Sequence, residues 1–157
     1  MRFSIEFVEH HLAHVASAYF ISPWEKAAGI SIDGSGDFVS CMMTSCEGSE
    51  ITVKRRFFVP HSLGTLYTTI CEFIGYGKYG DEGKVMGLSC YGDDNYSKEI
   101  SQLYALLPDG EYRLNLKYFN HQRPDAKQCY SKALIDLLGP PRDSDSEIDQ
   151  HYMDIGL

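Results

Sequence analysis

Glu9-His10-His11-Leu12-Ala13-His14 sets three imidazoles within five residues, the first and last four positions apart. On a helix that spacing stacks His10 and His14 on one face, while His11, turned by about 100° from His10, points elsewhere. Two neutral imidazoles one turn apart can grip a transition-metal ion, so the stretch reads as half of a metal site or else as a histidine-bearing surface helix. A second stretch, Asp33-Gly34-Ser35-Gly36, ends an apolar run with a carboxylate and follows it with glycines, whose amides can approach an anion closely. Its plain alternative is an Asp-Gly hairpin. The third, Glu82-Gly83-Lys84-Val85-Met86-Gly87, lies between Gly80 and Gly92. There Lys84 could neutralise phosphate or bond a ribose and Glu82 could accept from a hydroxyl, the alternative being a solvated helix face. His61, His121 and His151 lack metal-ligand spacing and read as structural or surface residues, His61 being the one best placed to approach a ligand. No Gly-x-Ser-x-Gly elbow and no Walker-type loop occurs.

The elements that must carry these groups follow from periodicity. Arg2 to Val8 alternates as a half-buried strand would, and Glu9 to about Ile21 turns helical, with Leu12, Val15, Ala16 and Tyr19 recurring at three- and four-residue steps. Strands are expected over 27–32, 37–46 and 51–59, joined by turns at 33–36 and 47–50 into an antiparallel meander. Helices are expected over 63–74 with Ser62 as cap, 95–107, 126–138 and from 146 or 147 onward, with a helical turn over 81–88 and a strand over 112–118.

The chain has 157 residues, enough for one domain, and 43% hydrophobic with 13% aromatic residues makes it globular rather than disordered. A net charge of -8 with Lys54-Arg55-Arg56 as the densest basic run argues against a nucleic-acid partner. Five cysteines without a Cys-x-x-Cys pair argue for small core residues and a reduced compartment. No leader-like or membrane-length apolar run occurs, so a cytoplasmic location and no membrane partner are expected. Both ends read as cut from something longer.

Three stretches in order, 8–20 around the histidines, Ser31-Ile32-Asp33-Gly34-Ser35-Gly36, and Gly83-Lys84-Val85-Met86-Gly87-Leu88-Ser89-Cys90-Tyr91-Gly92, resemble the carbamoyltransferase family of nodulation proteins and antibiotic O-carbamoyltransferases. Ser62-Leu63-Gly64-Thr65-Leu66-Tyr67 and Gly139-Pro140-Pro141-Arg142 are similar to its connecting segments. The resemblance implies an α/β, ribonuclease-H-like half of an actin/hexokinase/Hsp70-like fold, with a mixed sheet flanked by helices, the family's further adenylate-forming domain being expected to be absent from this chain. It implies transfer of a carbamoyl group from carbamoyl phosphate, through carbamoyl-adenylate made with ATP, to a small-molecule hydroxyl acceptor. It further implies iron or zinc on His10 and His14, and contact of His11 with the transferred group. Asp33 would be catalytic and, with Gly34, Ser35 and Gly36, would meet phosphate, and Glu82, Lys84 and Gly87 would meet the nucleotide. Protein partners would be the rest of a longer polypeptide or a second copy in a homodimer. A sugar kinase or tRNA threonylcarbamoyl transferase shares the implied fold, and a freestanding metal- or nucleotide-binding module is the non-catalytic alternative.

Overall fold

A computed structural model of the chain describes residues 3–157, which fall into two compact units divided between Gly64 and Thr65. In the first unit, helix α1 (His10–Tyr19) leads into a meander of β1 (Lys26–Gly36), β2 (Val39–Glu47) and β3 (Glu50–Phe58), in the order β1-β2-β3. Both pairings are antiparallel. A mixed sheet does not form among the described residues, because connections as short as these can reverse the chain but cannot supply the long crossover that parallel neighbours need.

α1 buries His11, Val15 and Tyr19, a stripe at four-residue steps. Val15 and Tyr19 pack with Cys46, Ala27 and Ile51 in one hydrophobic cluster of this unit. His10 and His14 lie beside that stripe, at the edge of the helix–sheet contact. Arg56 on β3 grips Glu9 through two hydrogen bonds of 2.7 and 2.8 Å, fixing where the helix begins. This pair lowers the pKa of Glu9, chiefly through the guanidinium hydrogen bond.

Two departures from the expected pattern shape the site. The strand expected over 2–8 is absent: residues 3–9 pair with nothing regular, Phe3, Ile5 and Phe7 are exposed, and Arg2 lies outside the described residues. Alternation marks a pleated segment, but a strand exists only where a neighbour takes its amides. The expected turn at 33–36 also moves. Register holds from Lys26 opposite Glu47 to Ile32 opposite Cys41 and resumes with Gly36 opposite Val39, so residues 33–35 bulge against the single Ser40. The reversal falls on Asp37 and Phe38, both at positive φ (52° and 66°), as a tight hairpin turn requires.

The second unit is built on α2 (Leu63–Phe73), whose first turn contains the boundary between the units, with α3 (Glu82–Leu88), α4 (Ser97–Ile100), the hairpin β4 (Tyr104–Leu106) and β5 (Tyr112–Leu114), α5 (Lys132–Leu138) and α6 (Gln150–Ile155). Its core includes Phe73, Ile74, Val85, Leu103, Phe119, Leu134 and Leu138. Arg142 closes the end of α2: its backbone N–H donates to the Phe73 carbonyl at 3.0 Å and its Nε to the Ile74 carbonyl at 2.6 Å. Those are two of the carbonyls a helix terminus leaves without intrahelical partners. The helix expected over 95–107 stops at Ile100, because Tyr104–Leu106 pairs with Tyr112–Leu114 across the Pro108-Asp109-Gly110 turn. Past Leu114, the expected strand gives way to a 3-10 turn over 116–118. The helix expected from residue 126 starts only at Lys132, where the Ser131 hydroxyl accepts from the amides of Ala133 and Leu134. The last helix likewise waits for the Asp149 cap.

Phe73 is fully buried and meets the Tyr130 ring edge-on at 5.3 Å. Phe73→Ala should destabilise the protein by about 3–5 kcal/mol, read as a lowered denaturant midpoint at unchanged m-value. A loss below about 1 kcal/mol would mean that this core is loosely packed.

Candidate metal centre

The bulge at 33–35 turns the Asp33 carboxylate towards α1. His10 Nε2 lies 2.8 Å from Asp33 Oδ2, His14 Nε2 lies 3.8 Å from the same oxygen, and the two Nε2 atoms are 3.1 Å apart. His10, His14 and Asp33 each bring one ligand-capable atom to within 4.8 Å of the others. Two imidazole nitrogens facing each other at that separation repel through their lone pairs unless a proton or a cation sits between them. Two imidazoles and one carboxylate are a donor set that suits zinc or ferrous iron, so the residues present fit the group that the resemblance implies.

The surrounding sequence holds this arrangement from three sides. Asp37 accepts the His10 backbone N–H at 2.9 Å, so the hairpin turn caps the first turn of α1 from a distance. Gly34 N–H donates to Asp33 Oδ1 at 2.6 Å, and the Ser62 hydroxyl donates to the Asp33 carbonyl at 2.9 Å. The hydrogen bond with His10, reinforced by the Gly34 amide, lowers the Asp33 pKa. Asp33 therefore stays anionic at neutral pH. The Gly34 amide, expected to meet phosphate, is turned onto the carboxylate, while Ser35 is exposed and Gly36 lies against the His10 ring.

His11 departs from expectation. Its side chain is fully buried, with Nδ1 2.9 Å from Ser31 Oγ and Nε2 2.9 Å from the Val39 carbonyl. Both ring nitrogens are engaged inside the fold, so in this geometry His11 cannot contact a transferred group. His14 and Asp33 border a cavity of about 620 Å³ whose other walls include Tyr19, Trp24, Ile30 and Ile32.

Glu82, Lys84 and Gly87 lie on α3 in the second unit. Lys84 Nζ pairs with Asp81 at 2.7 Å, which raises the lysine pKa and lowers that of Asp81, each chiefly through their hydrogen bond. Glu82 accepts from Thr68 at 3.1 Å and from the Gly80 amide at 3.1 Å. A Cβ at Gly83 or Gly87 would meet nothing within 4 Å, so packing does not require glycine at either position. Buried Cys71 and half-buried Cys129 are poor nucleophile candidates, since loss of solvent pushes both thiols up to about 11.

Ser31 and Asp37 were not singled out by sequence reasoning. Ser31 stands two residues before Asp33 on one strand, a spacing that points both to the same face, and that was the available signal. Asp37 had none, because its role depends on where the turn falls.

The profile described as "Carbamoyltransferase N-terminus" matches residues 1–154. The chain is 38% identical over 151 residues to an uncharacterised protein of Synechocystis, covering 95% of this chain and 24% of that protein. It is 42% identical over 113 residues to the nodulation protein NolNO of Sinorhizobium fredii, covering 71% of this chain and 16% of the relative. With the nodulation protein NolO of Bradyrhizobium diazoefficiens it shares 40% identity over 110 residues, 69% of this chain and 20% of the relative. The chain thus spans about a quarter or less of the length of these relatives. With the profile matched along almost its whole length, the chain belongs to the carbamoyltransferase family and corresponds to its N-terminal region.

Proposed function

We propose that this chain supplies the cation-binding part of a carbamoyltransferase that moves a carbamoyl group from carbamoyl phosphate, through carbamoyl-adenylate made with ATP, to a hydroxyl acceptor. The observation that carries the reading is the convergence of His10, His14 and Asp33 in a chain of this family. On this reading the two imidazoles and the carboxylate hold divalent iron or zinc within an actin/hexokinase/Hsp70-like fold. When bound, such a cation offsets phosphate charge and polarises the oxygen of the group under attack.

The remaining roles belong to the chain itself. Asp33, anionic at neutral pH, orients the His10 ring through their 2.8 Å contact. His11 fixes the helix rather than touching the transferred group, and Gly36 leaves room for the His10 ring. The cavity beside His14 offers space for a small molecule against largely apolar walls. Lys84 keeps its charge at neutral pH, with its side chain more than half exposed, and can meet a nucleotide phosphate. Gly83 and Gly87 leave that face of α3 without bulk, so a ribose or phosphate can approach the backbone.

The test is carbamoyl transfer by the full-length protein from carbamoyl phosphate and ATP to a panel of hydroxyl acceptors. Product is expected only when both are supplied. Zinc and nucleotide binding without transfer to any acceptor would favour a non-catalytic module instead.

A further inference from the structure

We propose that Ser31, acting through His11, is a positioning residue that sets the rotation of α1 and thereby brings the His10 and His14 nitrogens to one point. This rests on the divalent-cation reading of the His10, His14 and Asp33 cluster.

The chemistry of the two contacts on His11 fixes their direction. A carbonyl oxygen can only accept, so the 2.9 Å contact to Val39 requires the proton on His11 Nε2. In the neutral ring Nδ1 then carries a lone pair, and the 2.9 Å contact to Ser31 must be donated by the serine hydroxyl. His11 is thus held as one tautomer by one donor and one acceptor, with no exposed surface. The serine is the half of that clamp that a side-chain change can remove. Without its hydroxyl, Nδ1 is left buried and unpaired, which costs about 1–3 kcal/mol unless the ring moves.

The anchors are placed to matter for the neighbouring donors. Ser31 precedes Asp33 by two residues on β1, and Val39 pairs with Gly36 where the ladder resumes beyond the bulge. His11 is therefore tied to both ends of the segment that presents the Asp33 carboxylate. On the helix, His10 is its immediate neighbour and His14 follows three residues later. A helix rotation of about 10° moves an atom 5–6 Å from the axis by about 1 Å. Metal–ligand distances tolerate only about 0.2 Å, so a slip of that size lies well outside what a metal site accepts. His11 has no nitrogen left to bind the cation and acts by aiming the two histidines that do.

Zinc titration against a competing chelator tests this with Ser31→Ala, Ser31→Thr and Val15→Ala. Ser31→Ala is expected to weaken zinc binding about 10-fold or more, in the range found when groups that orient metal ligands are removed. Ser31→Thr, which keeps the hydroxyl, should stay within about threefold of the parent. Val15→Ala thins the same helix–sheet contact without touching the clamp and should lower Tm while leaving zinc affinity within about twofold. In the zinc-free protein, imidazole nitrogen NMR should show His11 carrying its proton on Nε2. Parent-like zinc binding by Ser31→Ala, an equal loss in Val15→Ala, or a proton on Nδ1 would each overturn the positioning role. A parent protein that binds neither zinc nor ferrous iron would overturn the cation reading and this role with it, whereas zinc binding indifferent to Ser31→Ala would overturn the positioning role alone.

Discussion

Replacing His10 and His14 together with alanine should leave the full-length protein without iron or zinc and reduce carbamoyl transfer at least about 100-fold, beyond the loss usual when an outer group that orients a ligand is removed. The arithmetic of donors underlies the expectation. Each imidazole supplies one nitrogen, and their removal leaves Asp33 as the single carboxylate of the cluster. Either histidine alone should be less damaging, and His14→Ala less so than His10→Ala. His10 holds Asp33 at 2.8 Å, whereas His14 stands 3.8 Å from Asp33 and is more exposed. Fold loss is a weak alternative explanation, because neither ring lies in the buried stripe of α1. Elemental analysis of purified protein reads the result directly. Metal content unchanged in the double variant would sink the ligand assignment. Asp33 adds a constraint on acid sensitivity. Its pKa is lowered, so any stability from its pairing is present above the ordinary carboxylate value and is lost only as pH falls through the lower folded value. Metal loss on mild acidification from neutrality must then arise from groups other than Asp33.

The parts of this site that sequence made legible are those set by local rules. His10 and His14 share a face because helical spacing puts them there, and the meander was readable from alternation broken by turn residues. What escaped depends on contacts between distant elements. The turn moved from 33–36 to Asp37-Phe38, although Asp-Gly and Ser-Gly are the stronger turn signals and Phe38 a poor one. Asp37 there accepts the amide of His10, a partner 27 residues away that no local rule contains. His11 was placed at the transferred group by the family resemblance, and its burial follows from lying on the same stripe as Val15 and Tyr19. The same reasoning explains the helices that came out short. Tyr104 has helical spacing with Ile100, yet its pairing with Leu114 prevails, since tertiary hydrogen bonding overrides a weak local preference. The segment over 126–131 instead lies against residues 118–120 through backbone contacts from Ser131 to Tyr118 and from Asn120 to Cys129.

Gly36→Ala should cost metal affinity with a smaller loss of stability than Gly64→Ala, which should cost both heavily. A Cβ built on Gly36 falls 2.1 Å from Cδ2, 2.2 Å from Cγ and 2.7 Å from Cβ of His10. The ring, 39% exposed, can swing outward by giving up the His10–Asp33 contact, but His10 Cβ moves only with α1, so the helix must also draw back slightly from β1. Zinc affinity should then fall about 10-fold or more, with Tm reduced by only a few degrees. A Cβ on Gly64 instead falls 2.5 Å from the Asp33 carbonyl carbon, 2.6 Å from its oxygen and 2.6 Å from the Gly34 nitrogen. All three are backbone atoms, so no rotamer relieves the clash and the bulge that presents the carboxylate must shift. The expected cost is that of overpacking a tight contact, about 1–3 kcal/mol, together with loss of zinc binding. Thermal melts and zinc titrations on the same two proteins separate the cases. If Gly36→Ala binds zinc as tightly as the parent, His10 can reach the cation from another rotamer, and the close approach of β1 to α1 is then a packing feature with no bearing on the metal.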